Sequence, residues 1–529
     1  MPPLPRRIVR SPLLIAAVLA VAAPQFVIGT ANATTTSGFS DNPIIRTDQG
    51  LVRGMRVGDV RQFRGIPYAG PASGEHRWQP PQPAPTWSGV RDATQFGDHC
   101  AQNPSAFGIA STSEDCLFLN VFTPRFAIPE VGISPVMVWI HGGALVTGAS
   151  DSYDRSDLVA RGVTVVTVNY RLGALGFLAH PAIAAESPQG AAGNYGLLDQ
   201  QAALRWVERN IRHFGGNPRS VTIFGESAGG LSVHTQLASP LAAGLFDKAI
   251  VESGAYQLTQ APLQTAGLTA NAFAAAAGCP DQTAACLRAL PLATILARQT
   301  SAIAAPTVDG YVLTKSVGQA FADGTFNHVP IIEGSNHDEW RLFVAQTEAT
   351  THVPLDPDGY VPAIQRTLLL TDPAAAAAIA AEYPLASYSS PSVALSAIGT
   401  DRIFACNARR ATASLSQFVA VYQYEFNDPD APMVFFPPVS FPTGAYHAAE
   451  IQYLFDSFTT PSPALTDAQE QLSRTMIRYW TNFAWFGNPN FFGTPVWPRF
   501  TTTELEHQAL VPGQSSTATD FAADHKCAA

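Results

Sequence analysis

The chain has 529 residues, 46% of them hydrophobic and 14% charged, with a formal net charge of −10. A chain of this length buries a large core whatever its domain count, because the buried fraction of surface rises with size. The acidic balance, with no basic stripe to offset it, repels phosphate backbones and argues against nucleic acid as a partner.

Residues 1–33 read as an export signal. Arg6, Arg7 and Arg10 form a positive n-region, Leu13 to Ala23 is an apolar run, and Ala31-Asn32-Ala33 supplies a cleavage site with the cut after Ala33. The apolar run has 11 residues, too few to span a bilayer, so no transmembrane anchor is expected. Its removal takes three arginines and no acidic residue, changing the formal charge from −10 to −13. No Cys follows for a lipid anchor. The Arg6-Arg7 pair lacks the neighbours that the twin-arginine route prefers, and leaves both export routes open. The mature protein is expected outside the cytoplasm, where six cysteines form disulfides. Spacing favours Cys100 with Cys116 and Cys279 with Cys286, each closing a short loop. Cys406 and Cys527 then either join over a long span or stay free. None has the C-x-x-C spacing of a zinc site.

Short β-rich apolar runs follow in order: Pro135 to Ile140, Val163 to Val168, Val221 to Phe224 and Ala249 to Glu252. Such runs fit strands covered on both faces, as in a parallel sheet. Between the second and third, Leu197 to Phe214 has helical spacing and is stopped by Gly215-Gly216-Asn217-Pro218. Strand, helix and strand in alternation predict an α/β sheet with right-handed crossovers. The alanine-rich Pro373 to Glu382 predicts a short structural helix. No Pro- or Ser-rich linker divides residues 34–529, which read as one domain with inserted loops.

Gly225-Glu226-Ser227-Ala228-Gly229 has the form G-x-S-x-G. The third predicted strand runs straight into it, and a helix-compatible stretch, Ala228 to Ala238, follows. A turn this tight strains the serine backbone and needs small residues on either side. It presents the hydroxyl at a sheet edge and a helix N-terminus, where a developing anion is favoured. His141-Gly142-Gly143-Ala144 follows the first strand, and its small residues let backbone N–H donors approach an oxyanion, with the Ala228 N–H as a third. Neither G-x-G-x-x-G nor a GK[ST] ending is present, against a phosphate cradle. His141 is expected to orient the loop.

With these motifs stand Phe63-Arg64-Gly65-Ile66-Pro67-Tyr68-Ala69, Ser113-Glu114-Asp115-Cys116-Leu117-Phe118-Leu119-Asn120-Val121, Asn194-Tyr195-Gly196-Leu197-Leu198-Asp199-Gln200 and Gly487-Asn488-Pro489. Together they resemble the type-B carboxylesterase/lipase family, which includes cholinesterases and bacterial para-nitrobenzyl esterases, from about Gly50 to Phe500. The resemblance implies an α/β-hydrolase fold, a mostly parallel central sheet flanked by helices with large insertions. It implies a Ser-Glu-His triad of Ser227, Glu339 and His447. It also implies oxyanion donors at Gly143, Ala144 and Ala228, and the disulfides Cys100–Cys116 and Cys279–Cys286. The expected activity is hydrolysis of small-molecule carboxylic esters through an acyl-enzyme, with no metal or organic cofactor. A lipase, thioesterase or amidase would share the triad. A non-enzymatic adhesion module is disfavoured, because all three triad residues are present.

A serine hydroxyl needs a base within hydrogen-bond reach, and the base needs an acid to orient it. Asp338 and Glu450 compete with Glu339 for the second role. Glu450 lies three residues after His447 and is placed to make a structural ion pair instead. Glu226, beside the nucleophile, either tunes the site or is structural, and Ser253 is a further candidate for the network. Three departures from the family pattern stand out. Ala144 replaces a usual glycine; its N–H survives, and its methyl is expected to narrow the acyl pocket. Trp340 replaces a glycine after the acid and is expected to alter packing behind the triad. The Cys100–Cys116 loop has no Trp to hold a quaternary ammonium, against choline esters.

Overall fold

The valine-rich runs are short because each crosses the core once, and they form strands without an exposed face. The computed structural model describes residues 42–153, 156–455, 464–491 and 493–527; the expected signal segment, 1–33, lies outside them. The sheet holds β1 (Met55–Val57), β2 (Val60–Pro67), β3 (Phe118–Pro124), β4 (Ser134–Ile140), β5 (Thr164–Val168) and β6 (Gly216–Glu226). It continues with β7 (Lys248–Glu252), β8 (Ile331–Asn336), β9 (Val421–Phe426), β10 (His507–Leu510) and β11 (Ser516–Ala518). Their spatial order is β11-β10-β9-β8-β7-β6-β4-β5-β3-β2-β1. The contiguous stretch from β10 to β5 is parallel, and both flanks are antiparallel. Strands β4, β5, β7, β8 and β9 are buried at every position, as crossovers that cover both faces require.

The helices that position the site are α1 (Tyr195–Asn210), α2 (Ala228–Ala238), α3 (Leu263–Ala276), α4 (Arg341–Thr351), α5 (Pro391–Gly399), α6 (Cys406–Leu415) and α7 (Asp467–Phe486). Between α5 and α6 the chain makes a π-helical turn, Thr400–Ala405. One face of the sheet is covered with Trp206 and Phe214, the other with Trp480 and Trp497. The expected helix from Leu197 to Phe214 begins two residues earlier and ends as a 3-10 turn, Ile211–Phe214. Gly215, at φ 93°, ends it in a single residue. Strand β6 therefore starts at Gly216, paired with Ser134, ahead of the expected Val221. The alanine-rich segment is helical over Pro373–Glu382, as expected.

Cys100 is bonded to Cys116 and Cys279 to Cys286, and the pair left open, Cys406 and Cys527, is also joined. Beside this third bond His525 is buried between two acids: Nδ1 lies 2.8 Å from Asp401 and Nε2 lies 2.6 Å from Glu425. His337 and His507 also face it. Burial opposes the imidazolium, but the two carboxylate hydrogen bonds outweigh it and push the pKa up to about 10. A proton held more tightly in the folded state stabilises it fully below the unfolded pKa of about 6.5. That contribution is lost as pH rises through about 10. His525→Gln is therefore expected to lower the urea midpoint most at pH 6, with the gap to wild type closing toward pH 10. A gap independent of pH would contradict this.

Candidate active site

The serine of the G-x-S-x-G segment sits where β6 turns into α2, at φ 57° and ψ −120°. This is a strained conformation for a residue with a side chain, held because the elements around it are fixed. Gly229 is the neighbour that makes the turn possible: a Cβ there would run into the Ile140 carbonyl oxygen of β4. The strain points the Ser227 hydroxyl off the end of the parallel strands, where ligand sites of α/β sheets lie.

The loops after β8 and β9 bring the other two predicted residues to the same edge. His447 Nε2 is 2.8 Å from Ser227 Oγ, and His447 Nδ1 is 2.6 Å from Glu339 Oε2. The second Glu339 oxygen accepts from the Asn336 backbone N–H at 2.8 Å, and the Glu339 carbonyl accepts from the His447 N–H at 3.2 Å. Glu339 is fully buried and His447 nearly so. The imidazole thus reaches the hydroxyl with one nitrogen and a fixed carboxylate with the other.

The competing acids are engaged elsewhere. Asp338 pairs with Arg341 at 2.8 Å and accepts from the Ala445 N–H. Glu450 accepts from Asn336 Nδ2 and makes no ion pair with His447. Burial, followed by the neighbouring glutamates, raises the carboxyls of Glu226 and Glu450 far above the usual range. Burial alone raises Glu252 to about 8 against the opposing Trp480 N–H bond. Glu226 Oε1 comes within 3.2 Å of His447 Nε2 but off the line of a hydrogen bond. The Ser253 hydroxyl, expected as a network candidate, has no hydrogen-bond partner among the described residues.

The Gly142-Gly143-Ala144 loop passes beside the serine. Gly143 stands at φ 97°, where a Cβ would collide with the Thr147 backbone, so only glycine fits. The N–H groups of Gly143, Ala144 and Ala228 have no acceptor among the described residues. His141 supports the loop: its ring stacks on Tyr170 at 4.5 Å, and the Tyr170 hydroxyl donates to the His141 carbonyl. Burial lowers its pKa to about 4, which keeps it neutral. Beside Ala144 opens a cavity of about 360 Å³, lined by Phe177, Leu231, Thr265, Thr269 and Ser301 among others. Ala144 lies in its wall, and no charged side chain lines it.

Sequence reasoning missed the aromatic seat of His447. Phe404 and Phe343 lie 4.9 Å and 5.3 Å from the imidazole between ring centres. Trp340 packs 4.5 Å from Phe343, with its ring against Gly399, where a side chain would clash. No local pattern marks Phe404, because it reaches the site from a helix far along the chain. Among the described residues, the one close grouping of metal-ligating side chains is Cys279, Asp281 and Cys286, and its two sulfurs are bonded to each other.

The family model for the carboxylesterase family matches residues 41–528. The chain is 37% identical to the mouse protein named acylcarnitine hydrolase over 489 residues, covering 86% of this chain and 85% of that one. It is 37% identical to human cocaine esterase over 497 residues, covering 88% and 87%. It is also 34% identical to fumonisin B1 esterase of Sphingopyxis macrogoltabida over 499 residues, covering 90% and 88%. A match over nearly the whole length, on a mostly parallel sheet flanked by helices, leaves one assignment: the chain belongs to the carboxylesterase family, carboxylic ester hydrolases of the α/β-hydrolase fold.

Proposed function

We propose that the protein is a secreted serine carboxylesterase that works through an acyl-enzyme, with Ser227, His447 and Glu339 as its triad. The observation that carries this reading is the unbroken hydrogen-bonded chain from Ser227 through His447 to Glu339. His447 takes the hydroxyl proton while Ser227 attacks the ester carbonyl, and the N–H groups of Gly143, Ala144 and Ala228 receive the oxyanion. The imidazolium, paired with Glu339, gives its proton to the leaving alcohol. The neutral imidazole left behind then deprotonates water, which attacks the acyl-enzyme. His447 returns that proton to the Ser227 oxygen as the acyl–oxygen bond breaks and the acid leaves. Three neighbouring carboxyls shifted toward their neutral form leave Glu339 to meet the positive charge.

Export through residues 1–33 into an oxidising compartment accounts for the three disulfides, with residues 34–529 as one catalytic domain. Among the described residues no helix is long and apolar enough to cross a membrane. The relatives are named for three different compounds, acylcarnitine, cocaine and fumonisin B1, and their names single out no one substrate for this chain. The uncharged cavity beside Ala144 suits an uncharged ester substituent of moderate size. The test is turnover of para-nitrophenyl butyrate together with labelling by an organophosphate. Activity with one label per chain, on Ser227, is expected; label on another residue, or none, would sink the reading.

A further inference from the structure

The C-terminal tail and the catalytic base share one structural element, the π-helical turn Thr400–Ala405. A π turn carries one more residue than an α turn and is rare, because its hydrogen bonds and packing are poorer. The same residues in α-helical register would rotate Phe404 by about 100° and remove its ring from His447. The register therefore has to be imposed from outside, and the contacts that can impose it are visible.

At the start of the turn, Thr400 Oγ1 accepts the backbone N–H of Trp340, the residue after Glu339, at 3.0 Å. The Trp340 ring fills the space that Gly399 leaves. At its second residue, Asp401 accepts from His525 at 2.8 Å and from the Tyr383 hydroxyl at 2.9 Å. His525 is anchored in turn to Glu425 of β9 at 2.6 Å. Immediately after the turn, Cys406 is bonded to Cys527. Lys526, between His525 and Cys527, lies over the Tyr383 ring at 3.9 Å and donates to the Glu382 carbonyl. Between these fixed points Phe404 projects onto the imidazole of His447 at 4.9 Å.

We propose that the C-terminal segment is a clamp for the catalytic base. His525 and the Cys406–Cys527 bond hold the π turn in the register that seats Phe404 against His447. Phe404 and His525 are positioning residues in this scheme: both act through the imidazole. The inference rests on His447 being the base.

The test compares three variants of the full chain with wild type on para-nitrophenyl butyrate, well below each melting temperature. These are His525→Gln, Phe404→Leu and the double change Cys406→Ser with Cys527→Ser. The expected result is a fall in kcat of about tenfold in each, with KM within about twofold, since a displaced catalytic group costs rate without altering the pocket. The acid limb of the kcat–pH profile, set by the base, should also move. The double change Cys279→Ser with Cys286→Ser, which removes a disulfide remote from the turn, should leave kcat and the profile at wild-type values. Should His525→Gln fail to fold, the Cys406/Cys527 change tests the clamp, and Phe404→Leu, which keeps a buried apolar group and removes only the ring, tests the seat of the base. Wild-type kcat and profile in folded His525→Gln, in the folded Cys406/Cys527 variant or in folded Phe404→Leu would overturn the clamp, as would equal losses in the Cys279/Cys286 control. If Ser227→Ala retains activity, the triad reading fails instead.

Discussion

Ser227→Ala is expected to lower kcat for a simple ester by about a millionfold, and adding His447→Ala to it should cost almost nothing more. The two residues act as a unit, since the imidazole is poised 2.8 Å from a hydroxyl and has no other proton to take in the first step. Removing either disables the same transfer, so the losses are grossly non-additive. A residue of activity should survive in both variants, about a thousandfold or more above water, because the N–H groups of Gly143, Ala144 and Ala228 still stabilise an oxyanion that attacking water creates. Single-turnover rates for the two single variants and the double variant check this. Multiplying losses in the double variant would mean that serine and histidine work independently, against the geometry of the site.

Much of this site was legible from the sequence, for a local reason. The nucleophile lies inside a strand-turn-helix whose every residue is constrained: a buried strand before it, a strained serine, and a glycine pressed against β4. The oxyanion loop is legible likewise, because Gly143 must occupy a conformation that other residues avoid. Glu339 and His447 lie more than a hundred residues apart and carry no local periodicity. They were reached through the family resemblance of their segments, and the distances to Ser227 could come only from the fold. The start of β6 was missed because Gly216 and Pro218 read as a stop, whereas pairing with Ser134 recruits Gly216 into the sheet edge. Phe404 carried no signal at all. A phenylalanine in a helix reads as core, and a π turn depends on contacts made by a distant tail.

Glu339→Gln is expected to cost about four orders of magnitude in kcat, less than the loss of Ser227 or His447 and more than any change at the neighbouring acids. The carboxylate accepts from His447 Nδ1 at 2.6 Å, which keeps the proton on Nδ1 and leaves the Nε2 lone pair facing Ser227. An amide can turn its NH2 toward Nδ1 instead, which puts the proton on Nε2 and points the wrong tautomer at the nucleophile, and it brings no negative charge to the imidazolium. The neighbouring acids should behave differently under the same substitution. Burial already drives Glu450 and Glu226 toward their neutral forms, so Glu450→Gln and Glu226→Gln replace one uncharged group by another of nearly the same shape. Each should change kcat by no more than about tenfold. Asp338→Asn breaks the pair with Arg341 and should lower the melting temperature more than the rate. Parallel kcat and melting measurements on the four variants separate these cases. A loss in Glu450→Gln or Glu226→Gln equal to that in Glu339→Gln would move the acid of the triad off Glu339. It would also require an ionised carboxylate where burial and the neighbouring acids, two at Glu226 and three at Glu450, oppose one.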